Sequence, residues 1–304
     1  MAIYDADGTQ LFHAYDADGT ELQYAYDADG TVIFTAQPIN LKIMTYNVGG
    51  WYTGVGTSVP SAYDEQYYEL QSGMIEENDP DILCINEYRD QFTTGGRTAL
   101  SVLSPYFQYI ETADGTTDYY GHAICSKYPI LSYTENYYSN DSRRYYGHAV
   151  INVNGRILNV VVTHLVTSSN VAKRPAQSAE LLSYVEELDN AIVCGDFNIH
   201  CRSKDYYYEQ TGRYEWVESY KMWDDAGYNF ANNNDDFGFI GTMYNSNPSS
   251  ESTAGWWSLD EILVSPNITI NDAYVDETKK TDPVTDDPNW LIDHIPLIAE
   301  ITIP

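Results

Sequence analysis

The spacing of apolar residues along the chain changes near residue 40. Beyond that point, short apolar runs alternate with longer stretches in which apolar residues recur at helical intervals. The short runs have the length and composition of β-strands and predict strands at residues 41–48, 81–87, 121–126, 148–153, 157–165, 191–197, 259–265 and 295–303. The helical spacing predicts helices at residues 64–78 and 172–188.

Strands that are separated by helices and long loops predict two packed sheets with helices on their outer faces. We therefore expect an α/β (α+β) β-sandwich that forms one domain in residues 41–304. The stretch 202–258 is rich in Tyr, Asn and Ser, and we expect a long loop region there with at most one helix, at residues 214–227.

The first 36 residues are dominated by three 11-residue repeats, YDADGTQLFHA, YDADGTELQYA and YDADGTVIFTA. Each repeat combines an Asp-Gly turn signal with short alternating apolar residues, which predicts a small appendage of β-hairpins joined to the domain by a linker at residues 37–40. A calcium loop would need a further acid where Ile3 stands, so the acids are interpreted as turn residues. A unit this small is expected to pack on a neighbour, and oligomerisation or attachment is the hypothesis for its role.

The chain of 304 residues is strongly acidic, with 45 acids against 15 bases and a formal net charge of −30. Such a surface favours solubility and repels polyanions and anionic membranes at long range. It argues against nonspecific DNA binding through a basic patch. It does not exclude a hydrolase in which a bound divalent cation supplies positive charge locally.

The sequence predicts neither a targeting signal nor a cysteine-based metal site. We expect no membrane span, because no run of about 18 apolar residues occurs, and no secretory signal is visible at the N-terminus. A cytoplasmic location and a particle or surface assembly both stay open. Cys84, Cys125 and Cys194 lie in strand-like runs and have no metal-site spacing, so we expect reduced, buried thiols.

Several predicted strands begin or end with polar side chains. These are Asn47, Glu87, His164, Asp196 with Asn198, Asp260, and Asp293 with His294. Buried polar groups are costly without partners, so their repetition at strand ends predicts that they gather into one site at a sheet edge. Two acids, Glu87 and Asp293, suit a hard cation such as Mg²⁺, whereas the histidines and carboxamides suit a phosphate.

The ordered motifs resemble those of the endonuclease/exonuclease/phosphatase superfamily, whose best-known member is deoxyribonuclease I. They cover about residues 41–303 and read TYNV, DILCINE, GHAICSKYPI, THL, KRPAQSAELL, GDFN, LDEILVS and DHIPL. The resemblance implies a deoxyribonuclease I-like four-layer sandwich. It also implies an Mg²⁺-dependent hydrolase that acts on a phosphate ester, in a nucleic acid or a small phosphorylated molecule.

For the metal, the resemblance implies that Glu87 is the principal ligand, with Asn47 beside it and Asp293 completing this end of the site. Mg²⁺ is the expected ion, and Mn²⁺ or Ca²⁺ are alternatives. Asn47 is also expected to lie near the bound phosphate.

For catalysis, the resemblance implies that Asp196 orients or deprotonates the attacking water and that Asn198 holds a phosphate oxygen. His164 is expected to contact the scissile phosphate, and His294 is expected to be supported by Asp260. Because side chains alternate along a strand, we expect Asp196 and Asn198 to point the same way.

Further phosphate contacts are less sharply defined. His122 stands where relatives often carry an asparagine and is either a phosphate contact or a solvated strand end. Either Arg143 or Arg144 matches the phosphate-gripping arginine of relatives, and Arg144 is the preferred assignment. Arg174 and Gln177 match a common helix pattern and are expected to be structural.

Variants of the motifs indicate which branch of the superfamily the chain resembles. The motif THL stands where apurinic-site nucleases carry Tyr-Val-Pro-Asn, and Gly49 replaces a polar residue of that branch, so base-excision repair is disfavoured. NEYRD and GDFNIHC look closest to deoxyribonuclease I, which favours a nuclease or phosphodiesterase. The alternatives are a phosphomonoesterase or phospholipase C-type hydrolase acting on an inositol phosphate or lipid headgroup, and a non-catalytic binding or attachment module.

Overall fold

The structure is a computed structural model of the 304-residue chain. It describes residues 3–4, 10–11, 24–26, 32–35, 38–49, 72–88, 98–113, 121–167, 173–201, 219–232, 242–245, 255–276 and 294–304. Asp293, the second predicted metal ligand, lies outside these residues.

Four short strands lie in the N-terminal repeats: β1 (Ile3–Tyr4), β2 (Gln10–Leu11), β3 (Tyr24–Tyr26) and β4 (Val32–Thr35). Strands β1 and β2 pair antiparallel, as do β3 and β4, and in both pairs the segment DADGT lies between the strands. The turn signals therefore predicted these two strand pairs. The appendage as an independent unit, and its role in attachment or oligomerisation, stay predictions.

The remaining described strands form two large sheets. In chain order they are β5 (Ile39–Asn47), β6 (Ile82–Tyr88), β7 (Tyr109–Ala113), β8 (Gly121–Ser126), β9 (Ile130–Tyr138), β10 (Asp141–Val153), β11 (Arg156–His164), β12 (Ala191–Cys201), β13 (Asn229–Phe230), β14 (Met243–Asn245), β15 (Gly255–Val264), β16 (Thr269–Val275) and β17 (Leu297–Ile303). The described helices are α1 (72–78), α2 (Ala99–Leu103), α3 (Arg174–Val185) and α4 (Lys221–Asp225). None of them is long and apolar enough to cross a bilayer.

One sheet has the order β16-β17-β5-β6-β8-β7, and the other has the order β13-β15-β12-β11-β10-β9 with β14 paired to β15. The pairs β5–β6 and β11–β12 are parallel, whereas their neighbours pair antiparallel. Parallel pairing brings the C-terminal ends of β5 and β6 to one edge of the first sheet, and those of β11 and β12 to one edge of the second. We call the place where these ends meet the rim of the sandwich.

Three apolar clusters define four layers, as predicted. The central cluster lies between the sheets and includes Ile43, Ile82 and Val160. A second cluster covers the outer face of the seven-stranded sheet beneath α3 and α4, and a third covers the six-stranded sheet beneath α1 and α2. Both faces of each sheet are covered, which explains why the central strands read as continuous apolar runs rather than alternating ones.

All eight strands predicted from apolar runs are present, with shifts at their ends. The strands that the pattern missed include β7, β9 and β16, which lie at sheet edges. Strand β9 is largely half-buried or exposed, so it carries few of the apolar residues that identify a strand. The helix expected at residues 214–227 is present in part as α4, but the expectation of loop elsewhere in 202–258 is wrong for the described parts, because β13, β14 and the start of β15 lie there.

Candidate active site

Asp196 is the centre of the polar groups at the rim. It is 2% exposed, near the end of the buried part of β12. Its Oδ2 atom accepts a hydrogen bond from Asn47 Nδ2 at 3.0 Å. The same oxygen lies 3.5 Å from His164 Nε2 and 3.7 Å from His294 Nε2. Four segments that are distant in sequence therefore meet at one carboxylate.

Asn198 is oriented by a local turn rather than by strand alternation. Its backbone N–H donates to Asp196 Oδ1 at 2.7 Å, and its φ of 53° lies in the left-handed region. Its Nδ2 donates to the carbonyl of Leu165 at 3.0 Å. An Asp side chain bonded to the second following N–H forms an Asx turn, so this turn and not strand alternation sets the orientation of Asn198.

The predicted metal end contains Asn47 and Glu87. Asn47 Nδ2 also donates to Glu87 Oε1 at 3.2 Å, and Asn47 Oδ1 accepts from the N–H of Gly49 at 3.0 Å. Glu87 has a φ of 58°, next to a register shift in the β6–β8 pair. A positive φ is unusual for a glutamate, and strained residues of this kind cluster at active sites. The carboxylates of Glu87 and Asp196 flank one amide nitrogen, so this oxygen-rich donor set fits a hard divalent cation.

His294 and Asp260 form a buried pair. His294 Nδ1 lies 2.7 Å from Asp260 Oδ2, and Asp260 is fully buried. Ligand atoms of Asp196, Asp260 and His294 all lie within 4.8 Å of one another. The contact between His294 and Asp260 is the one that the resemblance implied.

Thr242 holds this pair in place, and sequence reasoning missed it. Its Oγ1 accepts from the N–H groups of Leu259 and Asp260 at 3.0 and 3.1 Å, and its carbonyl accepts from Ile295 N–H at 2.7 Å. One buried threonine therefore ties the strand of Asp260 to the segment of His294. In the sequence, Thr242 was marked only by its place in the stretch 202–258, which was interpreted as a loop region.

Burial sets the protonation of the central groups. Burial raises the pKa of Asp196 to about 7, although His294 opposes this shift. Burial, reinforced by Arg144, holds the pKa of His164 well below its usual value. At neutral pH His164 is therefore a neutral imidazole, and Asp196 has the basicity to accept a proton.

Arg144 and His122 lie beside these groups. Arg144 is buried, and its Nη1 donates to the carbonyl of His164 at 3.3 Å, whereas the side chain of Arg143 is 60% exposed with Nε 3.7 Å from Asp141 Oδ1. The structure therefore places Arg144, and not Arg143, at the rim. Burial, followed by the charge of Arg144, lowers the pKa of His122 to about 3.

His122 is a buried strand residue rather than a solvated strand end. Its ring packs 4.6 Å from that of Tyr145, and neither ring nitrogen has a hydrogen-bond partner among the described residues. An unsatisfied buried polar group calls for an explanation, and a ligand that supplies the partner is one.

Arg174 and Gln177 are both buried on α3. Gln177 Oε1 accepts from the N–H of Val166 at 3.1 Å and so supports the segment that follows His164. This contact agrees with the structural role expected of Gln177.

The match to the Endonuclease/Exonuclease/phosphatase family spans residues 44–282. No curated protein sequence matches the chain. Among solved structures, truncated Caenorhabditis elegans TDP2 is 14% identical with a TM-score of 0.61, and the alignment covers 87% of this chain and 98% of that one. A family protein from Bacteroides thetaiotaomicron is 18% identical with a TM-score of 0.59, covering 88% and 99%. D. rerio TDP2 complexed with a single-strand DNA product is 14% identical with a TM-score of 0.62, covering 86% and 98%.

Proposed function

Because the chain belongs to the endonuclease/exonuclease/phosphatase family, we propose that it is a metal-dependent hydrolase that cleaves a phosphate ester by attack of water. The observation that carries this proposal is the convergence of Asn47, His164 and His294 on Asp196 Oδ2. A buried carboxylate held between an amide and two imidazoles suits proton abstraction from water next to an anionic group.

Asp196 is the proposed base, since burial gives it a pKa of about 7 and two hydrogen bonds fix its oxygens. His164 is neutral and donates a hydrogen bond to a phosphate oxygen. His294, oriented by Asp260, stabilises the charge that develops on the phosphoryl group. Asn198 uses one amide hydrogen on Leu165 and offers the other to the phosphate.

Glu87 would hold the divalent cation, with Asn47 beside it, and Mg²⁺ is the ion that this oxygen-rich set favours. Asp293 is assigned to the same end from the resemblance alone. The bound ion would supply positive charge that stabilises the negative charge of the transition state. Arg144 and His122 are proposed to complete the phosphate pocket.

A phosphodiester in single-stranded or short nucleic acid is the proposed substrate. A structurally similar protein, D. rerio TDP2, was solved with a single-strand DNA product. The net charge of −30 disfavours wrapping of a long duplex, because it repels the closely spaced phosphates. The same charge favours a second candidate, a small inositol phosphate or lipid headgroup.

A substrate panel tests the proposal. Purified protein with Mg²⁺ or Mn²⁺ is assayed on bis-p-nitrophenyl phosphate, single-stranded and plasmid DNA, and inositol phosphates. We expect hydrolysis of bis-p-nitrophenyl phosphate and of DNA. This hydrolysis should be lost in Glu87→Ala and in His294→Ala. His148→Ala is the matched control, since His148 is a buried histidine bonded to Tyr184 and Asn159 rather than to the site residues. If the protein hydrolyses none of these substrates, the proposed enzymatic function is refuted.

A further inference from the structure

Asn86 links the two sheets at the rim, and the sequence motifs did not single it out. It lies on β6, directly before Glu87, and is fully buried. Its side chain crosses to the other sheet, where Nδ2 donates to the carbonyl of Thr163 at 2.8 Å. Its Oδ1 accepts from the backbone N–H of Asp196, also at 2.8 Å.

These two backbone groups belong to neighbouring strands. Thr163 on β11 is the register partner of Gly195 on β12, so its carbonyl and the N–H of Asp196 lie side by side. The carboxamide of Asn86 therefore uses one of its N–H donors and its oxygen acceptor in hydrogen bonds with these two backbone groups. A side chain from the six-stranded sheet therefore fixes the main chain at the proposed base in the seven-stranded sheet.

Gly195 makes this approach possible. Its φ of 138° is one that residues with a side chain rarely adopt. A Cβ at this position would overlap the carbonyl oxygen of Thr163 and would lie 3.0 Å from Asn86 Oδ1. The glycine that precedes Asp196 is thus required mainly by the neighbouring strand β11 of its own sheet, and its Cβ position also lies close to Asn86 of the other sheet.

The proposed site is divided between the sheets, because Glu87 lies on β6 and Asp196 on β12. Its geometry depends on how the sheets are spaced at the rim. Asn198 and Asn47 bond to the Asp196 side chain, whereas Asn86 bonds to its backbone. Since catalytic groups must be held within about 0.5 Å of their working position, a backbone anchor of this kind has a direct effect on rate.

We propose that Asn86 is a positioning residue that fixes the backbone of Asp196 relative to Glu87 for phosphate-ester cleavage, an inference that rests on the proposed function. It acts through Asp196 and does not touch the substrate. It is therefore expected to affect turnover more than substrate binding.

The test compares Asn86→Leu with Asn159→Leu. Leucine keeps the branched shape of asparagine and its number of side-chain heavy atoms, and removes its hydrogen bonds. Asn159 is a matched control, because it is also buried and its side chain bonds a backbone carbonyl, that of Asp189, and the ring of His148, near the start of β11. Both variants are measured for thermal stability, for kcat and KM on bis-p-nitrophenyl phosphate, for Mn²⁺ affinity, and for amide exchange at Asp196 and Val193.

For Asn86→Leu we expect faster exchange of the Asp196 amide with Val193 still protected. We expect kcat to fall about 10- to 100-fold, as for a displacement of up to about 1 Å, with KM and Mn²⁺ affinity changed less than about threefold. Asn159→Leu is expected to lower stability similarly, with kcat and Asp196 exchange unchanged.

Unchanged exchange at Asp196 in Asn86→Leu, or an equal loss of kcat in Asn159→Leu, would overturn the positioning role. A Mn²⁺ affinity weakened about tenfold or more would also overturn it, since Asn86 would then act through Glu87. Amide exchange needs no turnover. An inactive wild-type protein would therefore refute the proposed function, while the exchange data would still decide whether Asn86 anchors Asp196.

Discussion

His148 beneath α3 and His122 at the rim are both buried, but their ring nitrogens are satisfied differently. Beneath α3, His148 is paired at both ring nitrogens, with Tyr184 Oη at 2.8 Å and Asn159 Oδ1 at 2.9 Å. Asn159 in turn donates to the carbonyl of Asp189 at 2.6 Å. Burial lowers the pKa of His148, yet its polar atoms all have protein partners.

At the rim, the buried polar groups are not all satisfied in this way by protein partners that the structure describes. His122 has no hydrogen-bond partner at either ring nitrogen among the described residues, and Asp196 has a pKa raised by burial to about 7. Glu87 and Asn198 have positive φ values. Unsatisfied buried polar groups and strained residues call for an explanation, and their use by a ligand or a reaction is one. Burial alone therefore does not distinguish a structural histidine from a functional one.

Among substitutions at the rim, Asp196→Asn is expected to have the largest effect on activity. It keeps the shape and an acceptor for Asn198 but removes the base, so we expect kcat to fall about 10²- to 10⁴-fold. Steady-state hydrolysis of bis-p-nitrophenyl phosphate measures the effect. Asp81→Asn is the control, because Asp81 accepts from Lys42 N–H at the opposite end of β6 and should leave kcat unchanged. Equal activity in Asp196→Asn and wild type would remove Asp196 from the mechanism.

Gly195→Ala is expected to have the next largest effect. The added methyl group overlaps the Thr163 carbonyl in a backbone conformation unsuited to alanine, so we expect a loss of about 3 kcal/mol in unfolding free energy. Urea denaturation followed by circular dichroism measures it. Gly227→Ala is the control, because Gly227 also has a positive φ (81°) but the nearest atom to its Cβ is Pro266 Cγ at 3.4 Å. We expect a loss of about 1 kcal/mol there. Similar losses in both variants would contradict the close contact between Gly195 and the Thr163 carbonyl.

His122 and His148 predict different costs of substitution at pH 7. The folded protein holds the pKa of His122 near 3, below the ordinary 6.5, so the unfolded chain binds a proton that the folded chain excludes. Stability from this group is therefore lost as pH falls from about 6.5 towards 3, by about 2 kcal/mol between pH 7 and pH 5.

His122→Asn should remove that part of the acid destabilisation. Its cost at pH 7 should be small, because no hydrogen bond within the described residues is lost. His148→Asn should cost about 1–3 kcal/mol at pH 7, since two hydrogen-bonded groups lose their partner. Urea denaturation at pH 5 and pH 7 separates them, and an unchanged pH dependence in His122→Asn would contradict the low pKa.

The smallest expected effect is stabilisation by metal. A divalent cation at tenfold excess over its dissociation constant should add about 1.4 kcal/mol to the unfolding free energy. Thermal unfolding with Mg²⁺ or Mn²⁺ measures the shift, and Glu87→Gln should abolish it. Glu180→Gln is the control, because Glu180 bonds Ser139 on the surface. A shift that persists in Glu87→Gln would place the ion elsewhere.

Much of the site was predictable because its residues stand at the ends of apolar strands. Asn47, His164, Asp196 and Asp260 were all recognised from this position, and the structure brings them together. Arg143 and Arg144 were not separable, since adjacent residues differ only in which way the strand turns them. Asn198 was placed correctly near Asp196, but by a turn that the alternation argument did not contain.

Asn86 and Thr242 could not be predicted, for a shared reason. Each acts through hydrogen bonds to backbone groups that are distant in sequence, and backbone groups carry no sequence signal. The edge strands β7, β9 and β16 were missed because, among the strands that the structure describes, each has a neighbour on one side only. Their side chains are more often polar, so they lack the apolar runs that identify central strands.

By itself, the sequence determined the layered architecture, the central strands and the identity of most polar groups at their ends, because burial on both faces demands continuous apolar runs. Only the tertiary structure decided which arginine reaches the rim, which histidine has no hydrogen-bond partner within the described part of the chain, and how Asp196 is anchored. Those outcomes depend on the spacing and register of two sheets, which arise from packing between segments far apart in the chain.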